Sequence, residues 1–339
     1  MRPVQRSRTS LLHFSAEPNR YDRMAYRRCG VSGLKLPAIA LGAWETFGGY
    51  RGPEMARDCI FGAFNLGITH FDLANNYGRP PGRAETVVGQ IIREMPRDEL
   101  IISTKAGFLM WPGPYGQGCS RKSLLASVDQ SLQRLGLDYV DIFYAHRMDA
   151  ETPLEETLGA LDQIVRNGKA LYAGLSNYSA KLLEEAINLA SKSRLAPIIV
   201  EQSSYSLLNR RIESDLLSCA RQFGAGVVAF SPLAQGLLSE KYLDGIPDES
   251  RAAKMWTPEQ RAIVGPAVMQ RVAKLNEIAK ARGQTLPQMA IAWLLRRPEI
   301  TSVLTGASQV EQIRENVRAL ENLQFSPEEL SSIDNLCPV

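Results

Sequence analysis

The chain has 339 residues, 45% of them hydrophobic and 22% charged, which is enough apolar material for a sizeable core and excludes a disordered chain. A net charge of +3, with Lys and Arg interspersed among acids, gives no basic stripe for nucleic acid. Cys29, Cys59, Cys119, Cys219 and Cys337 form no CxxC and read as free thiols of a reducing compartment, while three histidines and no HExxH argue against a metal site.

Residues 1–24 are Arg-rich and hold only a two-Leu apolar core, which rules out a secretory signal. They are expected to be an exposed extension of a cytoplasmic enzyme, with a transit peptide as the alternative, and residues 25–339 are expected to form one domain. Residues 24–37 resemble a β-hairpin turning at Val31–Gly33. Strands are then expected at 37–42, 69–74, 101–106, 140–146, 171–177, 198–204, 227–232 and 302–307. Amphipathic stretches alternate with them. One covers 54–67 and one opens on Ser120 and stops at Gly136. Another has Thr152 as N-cap, Pro153 at the first helical position and a stop at Gly168; a further one follows the last strand. The stretch 233–300 is long and holds two helices near 266–282 and 287–296. The longest apolar runs, such as LPAIALGAW, are too short to span a bilayer.

Near-continuous apolar strands, each followed by a helix, indicate a parallel sheet covered by helices. Eight repeats suit a (β/α)8 TIM barrel with an N-terminal β-hairpin and extra helices after strand seven. A doubly wound open sheet is the alternative, but no GxGxxG follows any strand. In a barrel the C-terminal strand ends ring one mouth, so Asp72, Lys105 and His146 converge there and Tyr77 reaches in from the second βα loop. An ammonium beside a phenol favours the phenolate, so Lys105 is expected to lower the pKa of Tyr77 and make it a proton donor and acceptor. Asp72 would pair with Lys105 and keep it protonated, and His146 would orient a substrate carbonyl. Proton delivery to a carbonyl oxygen needs a hydride source, which means a nicotinamide cofactor.

Asp72, Tyr77 in NNYG, Lys105 in STKAG and His146 in YAHR resemble the tetrad of the aldo-keto reductases. The resemblance covers about residues 25 to 335. It is strongest to the branch of bacterial glyceraldehyde-3-phosphate reductase-like enzymes and potassium-channel β-subunits, through YRRCGVSGLKLP, ITHFDLANNYG, SPLAQGLLSEKYLDGIP, TLPQMAIAWLLRRPEI and VLTGASQVEQIREN. It implies NADP(H) bound extended across the mouth. Ser176, Asn177 and Gln202 would hold the carboxamide, and Phe230 would stack on the nicotinamide. Ser231, Leu233, Gln235, Gly236 and Lys241 would follow the pyrophosphate. Gly306, Ser308, Gln312, Glu315 and Asn316 would bind the adenosine half at a helix N-terminus, which suits a 2′-phosphate. Lys241 and Arg251 are candidate phosphate partners, and position 312 is Gln where the family has Arg.

Trp44 is assigned to the cofactor edge and, with Trp111 and Arg79, to the substrate pocket; core aromatics are the alternative for the two tryptophans. Ser176 and Asn177 could instead cap the helix at 179–191. Arg79, Arg83 and Arg147 either attract an anionic substrate or are solvated surface arginines. The first βα loop has Glu45 and Thr46 where the bacterial branch usually has His-Asn, which implies altered substrate preference. The expected activity is NADPH-dependent reduction of small aldehydes of glyceraldehyde, glyceraldehyde 3-phosphate or methylglyoxal type by a homo-oligomer, tetramer or octamer. The rival is an NADPH-sensing subunit. His146 disfavours it, because channel subunits carry Asn there.

Overall fold

Eight parallel strands close into a barrel in the computed structural model, which describes residues 14–49 and 51–339. The strands are β3 (Ile39–Gly42), β4 (His70–Asp72), β5 (Ile101–Ala106), β6 (Val140–Ala145), β7 (Ala170–Ser176), β8 (Ile198–Ser204), β9 (Gly226–Phe230) and β10 (Ile300–Thr305), and β10 pairs with β3. Each starts within two residues of its expected position, and β4, β9 and β10 each end two residues early. β6 and β10 are buried at every position, as strands covered on both faces must be, with Asp141 in β6 and Thr301, Ser302 and Thr305 in β10 as their buried polar members.

The N-terminal hairpin is present: β1 (Tyr26–Arg28) pairs antiparallel with β2 (Lys35–Pro37). Its Cys29 and Leu36 are fully buried in one cluster with Ala40, Ile142, Tyr144, Val200, Val228 and Leu304 from the barrel strands. The hairpin thus plugs the end where the strands begin and leaves the C-terminal ends as the mouth.

Helices α1 (Pro53–Asn65), α2 (Arg83–Ile92), α3 (Arg121–Leu135), α4 (Leu154–Arg166), α5 (Ala180–Lys192) and α6 (Leu216–Phe223) follow successive strands. Ser120 caps α3 through its side chain, and Gly136 ends it in the left-handed region. Two expectations about caps are corrected. Helix α4 starts one residue later than expected: Pro153 occupies the N-cap, and the Thr152 hydroxyl donates to Asp149 Oδ2 at 2.8 Å instead. Helix α5 is capped by Ser179, which accepts from the Leu182 N–H, so Ser176 and Asn177 are not spent on capping.

The long stretch after β9 contains short turns, α7 (Arg251–Met255) and α8 (Pro258–Arg261), then α9 (Pro266–Ala281) and α10 (Leu286–Leu295). Helices α11 (Val310–Val317) and α12 (Pro327–Leu336) close the chain. Of the segment expected to be an exposed extension, residues 1–13 lie outside the described residues. The rest is fastened to the barrel: Phe14 stacks on Phe61 at 4.2 Å, the Glu17 N–H donates to Asn65 Oδ1 at 3.0 Å, Arg20 ion-pairs with Glu99, and Met24 is buried. No described helix is long and apolar enough to cross a membrane.

Candidate active site

Side chains alternate along a strand, so Ser103 and Lys105 share the inner face of β5 while Thr104 points outward, where its hydroxyl meets Glu85 of α2 at 2.5 Å. Register then places the partners. Asp72 on β4 stands opposite Ser103, and the Ser103 hydroxyl donates to Asp72 Oδ1 at 2.6 Å. Lys105 Nζ donates to Asp72 Oδ2 at 2.5 Å and to the Leu73 carbonyl at 2.6 Å. Gln202 Nε2, from β8, reaches Asp72 Oδ1 at 3.0 Å. Lys105 is fully buried and Asp72 is 3% exposed. Burial lowers the Lys105 pKa, and Asp72 opposes that fall.

Tyr77 lies over this pair. Lys105 Nζ is 5.2 Å from the Tyr77 ring centroid, and the Tyr77 and His146 rings meet edge-on at 5.8 Å. The four residues brought together by the strand-end reading therefore do converge. One electrostatic expectation is corrected. The Tyr77 pKa is raised well above its ordinary value, first by burial and then by Asp72. Lys105 spends its charge on Asp72, so the phenol sees a nearly compensated pair and not a free ammonium. His146 is held well below the ordinary imidazole value by burial, with Lys105 and Arg147 pushing the same way. At neutral pH the site therefore presents a neutral phenol and a neutral imidazole, which is the protonation state that donates to a carbonyl oxygen.

Sequence reasoning missed several contributors. His70 Nε2 lies 2.8 Å from Ser103 Oγ. The Ser103 proton already goes to Asp72, so His70 is the donor, and its Nδ1 is a buried atom without a partner. Burial holds His70 down to about 4. Phe108, in the loop after β5, packs edge-on against His146 at 4.6 Å. The period-two alternation of β5 could have flagged Ser103; nothing local flags Phe108.

The residues assigned to the cofactor fall into two groups. Ser176, Asn177 and Gln202 cluster at the ends of β7 and β8: the Ser176 hydroxyl donates to the Gln202 carbonyl at 2.9 Å, and Asn177 Nδ2 donates to the His146 carbonyl at 3.2 Å and to Ser176 Oγ at 3.1 Å. Gln202 uses its amide N–H on Asp72 and so keeps Oε1 as an acceptor for a carboxamide N–H. Phe230 is half-buried at the end of β9. Beyond it Ser231, Ala234 and Gln235 all have positive φ, at 56°, 45° and 60°, as does Gly236. Left-handed non-glycine residues cost energy that the surrounding structure must supply. Leu233 is half-buried there and Lys241 is exposed. On the far side, Ser308 N–H donates to Gln312 Oε1 at 2.8 Å at the start of α11. Glu315 accepts from the Thr285 hydroxyl at 2.5 Å, Asn316 is buried, and Gly306 stands open beside Thr46. The Arg251 side chain lies outside the described residues. These groups fit a dinucleotide laid across the strand ends. Trp44 and Trp111 are 44% and 37% exposed at the mouth, so they are not core aromatics. Arg79 is not a bare anion hook: it lies 3.6 Å from Glu45. Arg83 is exposed, and Arg147 Nε donates to the Gly107 carbonyl at 3.0 Å.

A cavity of about 600 Å³ lined by Arg27, Arg296, Arg297 and Phe325 lies at the plugged end and contains none of the mouth residues. Chemistry and not cavity size locates the site.

The turn after β7 has its own anchor. Asn177 has φ 62°, and the next N–H, of Tyr178, donates to Glu201 Oε1 at 3.1 Å. Ser203 donates to the same oxygen at 3.0 Å. Glu201 is fully buried, and burial pushes its carboxyl up to about 8. The unfolded chain releases that proton near 4.5, so between those values the native state binds more protons and stability falls as pH rises. Glu201→Gln keeps the acceptor and removes the titration. Between about pH 5 and 8 the native melting temperature should fall by roughly 3 °C more than that of the variant. Parallel melting curves across that range would contradict the assignment.

A family model described as Aldo/keto reductase family matches residues 38–337. Two strains of Escherichia coli carry relatives named L-glyceraldehyde 3-phosphate reductase, each 53% identical over 329 residues and covering 94% of both chains. An Arabidopsis thaliana relative named "Probable voltage-gated potassium channel subunit beta" is 40% identical over 306 residues, 88% of this chain and 92% of its own.

Proposed function

The chain belongs to the aldo/keto reductase family, and from that premise we propose that it reduces small aldehydes of the glyceraldehyde type, the 3-phosphate and methylglyoxal-like α-ketoaldehydes included, with NADPH and with Tyr77 as the general acid. Membership makes it an oxidoreductase using a nicotinamide cofactor on small carbonyl compounds. The finer reading is carried by one observation: a buried Lys105–Asp72 pair beneath a neutral Tyr77 that faces His146.

When bound, the reduced nicotinamide supplies hydride to the carbonyl carbon. Tyr77 donates its phenolic proton to the carbonyl oxygen as negative charge develops there, and Lys105, paired with Asp72 and 5.2 Å from the ring, forms the floor on which the phenol rests. Asp72, fixed by Ser103 and Gln202, holds Lys105 in place. His146 remains neutral and donates one N–H to the same oxygen, orienting it. Ser176, Asn177 and Gln202 position the carboxamide edge, Phe230 supports the nicotinamide face, and Lys241 and Arg251 serve the phosphates. The homo-oligomer and the cytoplasmic location belong to the same reading, the latter supported by five buried free thiols.

The test is steady-state consumption of NADPH with a panel of small aldehydes, alongside NADPH affinity by fluorescence. Turnover of glyceraldehyde-type substrates is expected. Tight binding with no turnover on any aldehyde would move the assignment to a redox-sensing subunit.

A further inference from the structure

One ion pair at the mouth is not used by this chemistry. Arg79 Nη2 lies 3.6 Å from Glu45 Oε2. Glu45 sits in the loop after β3, and Arg79 sits in the loop after β4, two residues past Tyr77. Backbone contacts lock the two loops together. Arg79 N–H donates to the Gly48 carbonyl at 2.9 Å. Gly48 has φ +71°, and a Cβ there would lie 2.5 Å from Ala84 N, so only glycine lets the first loop rest on the start of α2. Glu45 itself has φ 59°, a conformation that costs energy for a residue with a Cβ and that the surrounding contacts must impose. Its side chain is 25% exposed against 67% for Arg79. The carboxylate is the enclosed partner and the guanidinium the open one.

Of the other charged groups near Tyr77, Lys105 is matched by Asp72, His146 is neutral, Arg147 is turned to a carbonyl of its neighbouring loop, and Arg83 is exposed to solvent. An anionic substrate group reaching for Arg79 therefore meets a carboxylate beside it. An Arg fork prefers a bidentate phosphate, but a phosphate on Arg79 sits beside the negative charge of Glu45, 3.6 Å from the same guanidinium.

Resting on the reading of this mouth as a carbonyl-reducing site, we propose that Glu45 is a specificity-determining residue that holds Arg79 as an internal counter-ion and ranks uncharged aldehydes above phosphorylated or carboxylated ones. An exposed pair is weak enough to exchange, so the bias is moderate and phosphorylated substrates are disfavoured without being excluded.

The experiment measures kcat/KM for glyceraldehyde 3-phosphate and for glyceraldehyde and takes their ratio, which cancels any change in folded fraction or in the hydride step. Glu45→Gln should raise the ratio about five-fold by freeing Arg79, and added salt should erode that gain. Arg79→Ala should lower the ratio by a similar factor, because Glu45 then stands uncompensated. The double variant should return close to the native ratio. A ratio unchanged in Glu45→Gln, or one that rises in Arg79→Ala, overturns the proposal while leaving the reductase reading in place. A native chain that turns over neither aldehyde overturns the reductase reading and this proposal with it.

Discussion

Tyr77→Phe should lower kcat for aldehyde reduction by about a thousand-fold, within the range that a positioned general acid contributes. The substitution removes one oxygen and leaves the ring that contacts His146 at 5.8 Å and lies 5.2 Å from Lys105 Nζ. Phe keeps the ring and its contacts with His146 and Lys105, so loss of the hydroxyl should change stability by less than about 0.5 kcal/mol. Cofactor affinity should hold within about two-fold, because no group assigned to the dinucleotide is touched. The pH profile is a second readout. With the Tyr77 pKa raised and that of His146 lowered, neither group titrates near neutrality, and native reduction should be nearly flat from about pH 6 to 8. If Tyr77→Phe retains most of its turnover, the proton comes from elsewhere, and water or His146 becomes the donor.

The second large effect concerns the pair beneath Tyr77. Asp72→Asn leaves a fully buried Lys105 ammonium with no counter-charge and only neutral acceptors such as the Leu73 carbonyl. Breaking a buried pair from that side should destabilise the protein by about 3–5 kcal/mol. Lys105→Met should cost less, because Asp72 keeps two donors, Ser103 Oγ and Gln202 Nε2. The double variant should recover part of the Asp72→Asn loss, since it no longer buries an uncompensated ammonium. All three should be nearly inactive. Denaturant midpoints for the native chain and the three variants form the cycle. Additive losses would mean that the two charges do not stabilise each other, and the account of Tyr77 would lose its support.

The two effects depend on different levels of the molecule. The hydroxyl of Tyr77 is a matter of chemical identity at one strand end, whereas the asymmetry between Asp72 and Lys105 depends on the hydrogen bonds each retains when the other is removed. Only the second needs coordinates to be foreseen.

Much was legible without them. The barrel strands could be read because a parallel strand covered on both faces carries apolar residues on both, in a run without a strict polar alternation. Asp72, Lys105 and His146 could be read because each breaks such a run at its end, and closure of the barrel brings strand ends together whatever their separation along the chain. Ser120 and Gly136 were legible because helix caps are local chemistry. Thr152 misled because Asp149 competed for its hydroxyl. What only the tertiary structure decided is pairing and field. Ser103 meets Asp72, and Gln202 reaches it, through register and inward direction across strands far apart in sequence. Phe108 finds His146, and Arg79 finds Glu45, between loops whose conformations no propensity encodes. The direction of the Tyr77 shift was decided last of all. It is a sum of burial and of opposed charges over distances of a few ångströms, and the residue types alone do not carry that sum.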